Sequence, residues 1–236
     1  MSEVIVRLPV PPLLIISDSS QARRPLEEIA AAAFAGGCRW FSLREKDVLP
    51  AERRALLGRL VVLGRRCGAT VGIHEDIDAA IHAGADSVHL PSGSRPETAR
   101  TRLPGALIGA SAHSAEEAST LLQAGADYVT VSPVFVSTSK PGYGPALGLD
   151  GLTSVVARAP GPVIALGGIT ADNAGLCRSA GAHGIAVMGE VMRAADPQAA
   201  VEAILRAISK NNWLKGLNLS RSPFPPQKTS ITEVKR

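Results

Sequence analysis

The chain has 236 residues, of which 45% are hydrophobic, 19% are charged and 3% are aromatic. This length suits one large α/β domain, and so few aromatic side chains exclude a row of stacking platforms for nucleic-acid bases. The net charge of +4 comes from the segment after position 210, so residues 1–210 are neutral overall and offer no basic groove for nucleic acid.

Eight short apolar segments alternate with eight segments of helical pattern. The apolar segments predict strands at 13–17, 40–44, 70–74, 87–90, 106–111, 128–134, 163–167 and 184–188. The helical patterns lie at 25–36, 51–67, 76–84, 96–103, 114–125, 149–159, 171–181 and 196–209. This strict alternation predicts an α/β fold, a single (β/α)8 TIM barrel. A doubly wound open sheet is the alternative.

A short repeat marks the passage from helix to strand. Gly84, Gly125 and Gly181 each follow an alanine and stand three positions before an apolar strand begins. A glycine in this place predicts a left-handed helix cap followed by a short loop. Ser114 and Glu117 have the spacing of a capping box at the start of the fifth helix. Short loops of this kind are typical of parallel α/β folds.

The barrel is predicted to occupy residues 1–210, followed by a basic tail at 211–236. In the tail the apolar periodicity stops and three prolines argue against packing, so we expect it to be disordered. Cys38, Cys67 and Cys177 lack the spacing of a metal site or a disulfide framework, and no segment has the pattern of a signal peptide or a membrane span. We expect a cytoplasmic protein without nucleic-acid or membrane partners; a homo-oligomer is left open.

Two neighbouring strands near the end of the barrel finish in glycine. The strand at 163–167 runs into Gly167 and Gly168, and the next strand is followed by Gly189. Glycine lets the backbone pass close to a ligand, and barrels of this class frequently bind phosphate at the loops after strands seven and eight. The two motifs together predict a phosphate-binding cup. A tight turn from strand to helix is the simpler explanation for either motif alone.

Polar residues at other strand ends predict an active site at the C-terminal rim of the barrel. Arg44 and Lys46 close strand two and are suited to a phosphate or a carboxylate. An ion pair with Glu45 or a neighbouring acid is the structural alternative. The loop after strand six combines hydroxyls with a cation and suits an anion, although a solvent loop would have the same composition; its candidates are Ser137, Ser139 and Lys140.

His113 is the strongest acid–base candidate, because histidine exchanges protons near neutral pH and this one lies just beyond strand five. Ser111, which closes the same strand, is a candidate substrate-binding residue. A capping or buried histidine is the structural alternative. His74 is the second candidate, whereas His89 falls within strand four and is predicted to pack inside the barrel. Glu75 and Asp76 form one carboxylate pair, which alone would bind a divalent ion poorly. We therefore predict no metal and no cofactor.

Taken together, the motifs resemble the thiamine-phosphate synthase and TenI superfamily over about residues 12–205. They are Arg44-Glu45-Lys46, Ser111-x-His113-Ser114, Ser137-x-Ser139-Lys140, Gly167-Gly168-Ile169 and Ala186-Val187-Met188. The resemblance implies the same barrel and an enzyme of thiamine biosynthesis that acts on a thiazole phosphate. The synthases of this superfamily use magnesium to join a pyrimidine diphosphate to the thiazole phosphate.

The sequence departs from the synthase pattern around the pyrimidine and the metal. Ser42 replaces a glutamine, His74-Glu75 replaces Asn-Asp, and Ser94 replaces an aspartate that helps to bind magnesium. The run Pro91-Ser92-Gly93-Ser94, with a histidine after strand five, resembles the TenI-type thiazole tautomerases instead. That resemblance implies that His113 moves a proton.

The favoured hypothesis is a thiazole tautomerase, an isomerase that aromatises a thiazole carboxylate phosphate. The three glycines at the ends of strands seven and eight would hold the phosphate, and Arg44 or Lys46 would meet the carboxylate. The alternative is a divergent thiamine-phosphate synthase, a transferase in which Mg²⁺ would bind at Glu75. A third hypothesis is a non-catalytic protein that binds thiazole phosphate or has a regulatory role.

Overall fold

The computed structural model describes residues 8–137 and 145–209. Eight parallel strands close into a barrel in chain order: β1 Leu13–Ile16, β2 Trp40–Leu43, β3 Thr70–His74, β4 Ser87–Leu90, β5 Leu107–Ala112, β6 Tyr128–Val131, β7 Val163–Leu166 and β8 Gly184–Val187. Strand β8 pairs with β1, so the sheet has no open edge. The prediction of a single (β/α)8 barrel is confirmed, and the doubly wound sheet is excluded.

Helices surround the described barrel: α1 Leu26–Ala35, α2 Pro50–Arg66, α3 Ile77–Ala83, α4 Pro96–Arg102, α5 Ala115–Gln123, α6 Gly148–Arg158, α7 Ala174–Ser179, α8 Gly189–Met192 and α9 Pro197–Ser209. Helix α3 ends at Gly84, which has φ 61° and forms the predicted left-handed cap. Ser114 caps α5 by accepting a hydrogen bond of 3.1 Å from the Glu117 N–H. These two local predictions are confirmed.

Some boundaries differ from the prediction for local reasons. Strand β6 ends at Val131 rather than at position 134, because Pro133 has no N–H to offer the ladder. Helix α7 begins at Ala174 rather than at 171, because Thr170 and Asn173 first form a turn. Helix α8 and a 3-10 turn at Ser19–Gln21 were not predicted, since elements of three or four residues show no periodicity. Both short elements lie at the C-terminal rim.

The core has two parts, because both faces of each strand are buried. Outward-facing side chains pack against the helices, as Phe41 does near Phe34 of α1. Inward-facing side chains form a separate cluster within the barrel, made of Leu14, Ile16, Trp40, Tyr128, Ile164 and Ala186. Successive side chains along each strand therefore point alternately to the outer layer and to the barrel interior. Because the interior is filled, a ligand site is expected at the C-terminal rim.

Some sequence predictions concern residues that lie outside the described part of the structure. This is the case for the tail at 211–236 and for Ser139 and Lys140 in the loop after β6. Among the helices that the structure describes, none has both the length and the apolar character needed to cross a bilayer.

Candidate active site

The ends of β7 and β8 enclose a cavity of about 210 Å³. Gly167, Gly168 and Gly189 all line it, so the two glycine motifs of the sequence meet in one place. Gly168 has φ 63°, and a Cβ added there would lie 2.5 Å from the Val136 carbonyl oxygen. Only glycine fits at this position, because both the backbone conformation and the neighbouring chain exclude a side chain.

The segment that follows β6 forms a wall of this cavity. Its backbone stays bonded to the end of β7, since the Val134 N–H donates to the Leu166 carbonyl at 2.9 Å and the Phe135 N–H donates to the Gly167 carbonyl at 3.0 Å. Ser132 and Ser137 from the same segment line the cavity. Of the three candidates predicted in this loop, Ser137 thus lies at the cavity.

Asn173 fixes the far side of the glycine turn and was missed by sequence reasoning. Its Nδ2 donates to the Gly168 carbonyl at 2.9 Å, and its Oδ1 accepts from the Thr170 N–H at 2.9 Å. The amide side chain therefore holds the turn from both ends. The spacing of threonine and asparagine before α7 was the available signal, because Asn commonly bonds a backbone N–H a few residues before a helix.

His113 lies beyond β5 and is anchored to β6. Its Nδ1 is 2.7 Å from the carbonyl oxygen of Ser132, a residue that lines the cavity. A carbonyl can only accept, so Nδ1 carries the proton and the lone pair of the neutral ring is on Nε2. The His113 N–H donates to Glu117 at 2.8 Å, which ties the histidine to the capping box of α5. His113 thus contacts the cavity wall through Ser132 and is not itself one of the residues that line the cavity.

A buried polar network lies in the barrel interior beneath this rim. Nδ1 of His89 is 3.1 Å from the Tyr128 hydroxyl, and its Nε2 is 3.0 Å from the Ser111 hydroxyl and 3.2 Å from that of Thr130. Burial lowers the pKa of His89 to about 3. His89 is therefore a neutral packed residue, as predicted, and it holds Ser111, which was predicted to bind substrate.

The acidic member of the Arg44-Glu45-Lys46 run is structural. Glu45 is 5% exposed and accepts hydrogen bonds from the Ser17 hydroxyl at 2.6 Å and from the Ser19 N–H at 3.0 Å. Its carboxylate is thus occupied by the loop after β1 and not by Arg44, so the ion-pair alternative does not hold for Glu45. Arg44 and Lys46 instead border a second cavity of about 500 Å³, together with His74.

The carboxylates around this second cavity were the sequence candidates for a divalent ion. Asp76 Oδ2 is 2.9 Å from Arg53 Nη2, and its Oδ1 accepts from the Ala79 N–H at 2.8 Å. Burial opposes ionisation, but Ala79 and Arg53 hold the pKa of the Asp76 carboxyl below its usual value. The predicted pair is therefore reduced to Glu75, and within the described residues no group of three or more His, Cys, Asp or Glu could hold a metal.

The site as a whole places this chain among the (β/α)8 barrels that carry a ligand cavity at the C-terminal ends of their strands. A family model described as thiamine monophosphate synthase matches residues 13–191. The chain belongs to this family and is an enzyme of thiamine biosynthesis.

Individual relatives agree with the family. A thiamine-phosphate synthase of Roseiflexus sp. (strain RS-1) is 36% identical over 199 residues, which is 83% of this chain and 84% of that protein. One from Methanoregula boonei is 38% identical over 201 residues, covering 84% and 93% of the two chains. The solved thiamine phosphate pyrophosphorylase from Pyrococcus furiosus superposes with a TM-score of 0.76 at 32% identity, covering 84% of this chain and 95% of that one.

Proposed function

We propose that the cavity between β7 and β8 binds the phosphate of a thiazole phosphate, and that His113 moves a proton on the thiazole ring. The observation that carries the proposal is the 2.7 Å contact between His113 Nδ1 and the Ser132 carbonyl. Ser132 lines the cavity, so a ligand held there lies beside an imidazole of defined tautomer. The activity proposed on this ground is that of a thiazole tautomerase.

The proposed reaction needs one acid–base group. Nε2 of His113 takes a proton from one atom of the thiazole tautomer and returns it to another, and the ring becomes aromatic with no net loss of electrons or protons. The Ser132 carbonyl keeps its hydrogen bond throughout and stabilises the imidazolium that forms between the two transfers. The apolar residues Leu166, Ile169 and Met188 flank the cavity and would exclude water from the ring.

The roles proposed for the other polar residues at the rim follow from their positions. Arg44 and Lys46 border the second cavity and would meet the carboxylate of the substrate. Ser111 would hydrogen-bond the ring, because His89 holds its hydroxyl in place. A reducing cytoplasm is the proposed compartment, consistent with Cys38, Cys67 and Cys177, none of which forms a disulfide.

A second candidate is thiamine-phosphate synthase, and the names of the relatives favour it over the tautomerase. Identities of 36–38% over more than four fifths of this chain support the same reaction. Against it stand Ser94, which brings no carboxylate, and Asp76, which is engaged by Arg53. A synthase needs carboxylates to bind the magnesium ion that accompanies the diphosphate. The proton shift needs none, so these two residues support the tautomerase.

Two assays on the same preparation decide between the candidates. In the first, the thiazole carboxylate phosphate tautomer is supplied with EDTA, and the aromatic product is followed by absorbance. In the second, a pyrimidine diphosphate and thiazole phosphate are supplied with Mg²⁺, and thiamine phosphate is measured. Turnover in the first assay alone supports the tautomerase, and turnover in the second alone replaces it by the synthase. Tight binding of thiazole phosphate with no turnover in either assay selects the non-catalytic hypothesis.

A further inference from the structure

Arg193 lies at the edge of the glycine cavity but belongs to none of the sequence motifs. It directly follows α8, and its side chain folds back over the start of that helix: a Cβ added to Gly189 would lie 2.1 Å from Arg193 Nη1. Among the described residues that line the cavity, Arg193 is the one cation and Glu190 the one anion. An anionic ligand in this cavity therefore lies close to a guanidinium.

The loop after β1 holds this guanidinium in place. Nη1 of Arg193 donates to Gln21 Oε1, and Gln21 Nε2 donates to Asp18 Oδ2 at 2.6 Å. Asp18 also accepts from the hydroxyl of Ser20 at 2.6 Å and from its N–H at 3.2 Å. The chain of hydrogen bonds connects the loops after β1 and β8, which are neighbouring strands of the closed barrel.

We propose that Arg193 recognises the phosphate group of the ligand and that Gln21 is the positioning residue for its guanidinium. This inference rests on the proposed function to the extent that it takes the ligand to be a phosphate monoester. The glycine turns can offer backbone N–H groups, which are neutral donors. Arginine adds a full positive charge and a planar pair of donors that match two phosphate oxygens.

Gly189 has a specific part in this arrangement. With any larger residue the Cβ would occupy the space that the guanidinium now fills, and the flexible arginine side chain would move away. A glycine at this position thus gives the arginine access to the cavity. The sequence predicted the same glycine as part of the phosphate cup. In this arrangement its contribution is the space that it leaves for the Arg193 side chain.

Calorimetric titration of the full chain tests the inference with three ligands: inorganic phosphate, thiazole phosphate and the unphosphorylated thiazole alcohol. Arg193→Gln should weaken binding of both phosphate ligands about 10- to 100-fold, the range of a charged hydrogen-bonded contact, and leave the alcohol unchanged. Arg193→Lys should fall in between, since it keeps the charge and loses the planar pair. Arg206→Gln is the matched control, because it removes the same charge from α9, where Arg206 pairs with Glu202.

Double variants test the parts given to Gly189 and Gln21. Gly189→Ala displaces the guanidinium without removing it, so it should weaken phosphate binding several-fold in the wild-type background and add nothing in the Arg193→Gln background. Gln21→Leu should follow the same pattern with a smaller loss. Equal losses in both backgrounds would contradict the arrangement. Urea unfolding of each variant checks that the fold is kept.

The results also separate this inference from the proposed reaction. Wild-type affinity for phosphate ligands in Arg193→Gln, equal weakening of the alcohol, or a wild-type chain that binds no phosphate ligand each overturns the role of Arg193. Binding that depends on Arg193, with no turnover in either enzyme assay, supports the inference and removes the proposed reaction. Turnover of the tautomer by an Arg193→Gln variant that keeps wild-type affinity for thiazole phosphate supports the reaction and overturns the inference.

Discussion

The inner wall of the barrel differs between its two sides. Strands β7, β8 and β1 contribute apolar side chains such as Ile164, Ala186 and Ile16, and β7 and β8 end in glycine turns. Strands β4 to β6 contribute the hydrogen-bonded group around His89, and His113 follows β5 and contacts the Ser132 carbonyl beyond β6. The first side carries the proposed phosphate site and Arg193, whereas the second carries the histidine to which we assign the proton transfer.

In the proposed function, the two sides divide the binding of the ligand from the chemistry. The glycine side depends on shape, since a Cβ at Gly168 has no room. The polar side depends on the protonation of its two histidines. The Ser132 carbonyl holds the proton of His113 on Nδ1, and burial keeps His89 uncharged. Substitutions on the two sides should therefore affect different measured quantities, affinity on one and turnover on the other.

The largest expected effect is on turnover. His113→Ala should lower tautomerase turnover about 10²–10⁴-fold, because it removes the group that takes and returns the proton. The affinity for thiazole phosphate should stay within about threefold of wild type, since the phosphate binds on the glycine side. Absorbance of the aromatic product and calorimetry measure the two quantities. Unchanged turnover in this variant would remove the proposed mechanism.

The opposite pattern is expected from Gly168→Ala. The added methyl group meets the Val136 carbonyl and requires a left-handed backbone, so stability should fall by about 1–3 kcal/mol and phosphate affinity about 10-fold. Gly58→Ala is the matched control, because Gly58 lies within α2 with nothing near its Cβ position. That control should be neutral or stabilising by up to about 1 kcal/mol. Urea unfolding and calorimetry distinguish the two variants, and equal behaviour would contradict the close packing at the cup.

Much of the fold can be predicted from the sequence because short local patterns determine its strands and helix ends. Each strand is a short apolar run, and residues such as Gly84 and Ser114 mark where helices end or begin. The three cup glycines were predictable for the same reason, since a turn after a buried strand is a local feature. His89 was assigned to the barrel interior simply because it lies within a strand.

The remaining parts of the site depend on contacts between distant segments. Asp76 was a metal candidate in the sequence, but Arg53 of α2 engages it, and no local pattern shows that pairing. Arg193 is held at the cavity by Gln21, 172 positions away in the sequence. That contact depends on the closure of the barrel between β8 and β1, and the Arg53–Asp76 pair depends on the packing of α2 beside β3, so both could be found only in three dimensions.

A further effect is expected on the pH dependence of stability. The pKa of His89 is lowered to about 3 in the fold, against about 6.5 in the unfolded chain, so the unfolded chain binds a proton first as the pH falls. The stability from the neutral histidine is present above about pH 6.5 and is lost towards pH 3, by about 1.4 kcal/mol for each pH unit.

His89→Gln tests this contribution, because glutamine keeps hydrogen-bonding groups and does not titrate. The difference in free energy of unfolding between wild type and variant should shrink as the pH falls from 7 to 4. Urea titrations at four pH values measure it, and the carboxylates, which titrate in both proteins, cancel in the difference. A difference that stays constant with pH would mean that His89 does not remain neutral in the fold.

The smallest expected effect is at Ser94, beyond β4 on the polar side. If the reaction is the proton shift, neither this position nor a metal ion takes part, so Ser94→Asp should leave turnover within about twofold and EDTA should not reduce it. If the reaction is the synthase, an added carboxylate should instead improve the use of Mg²⁺, because the chain then offers a second oxygen ligand beside Glu75. Both assays are run on both proteins with and without EDTA. Activity that disappears with the chelator and returns with Mg²⁺ would move the chemistry from His113 to Glu75, and the polar side would then bind a diphosphate rather than exchange a proton.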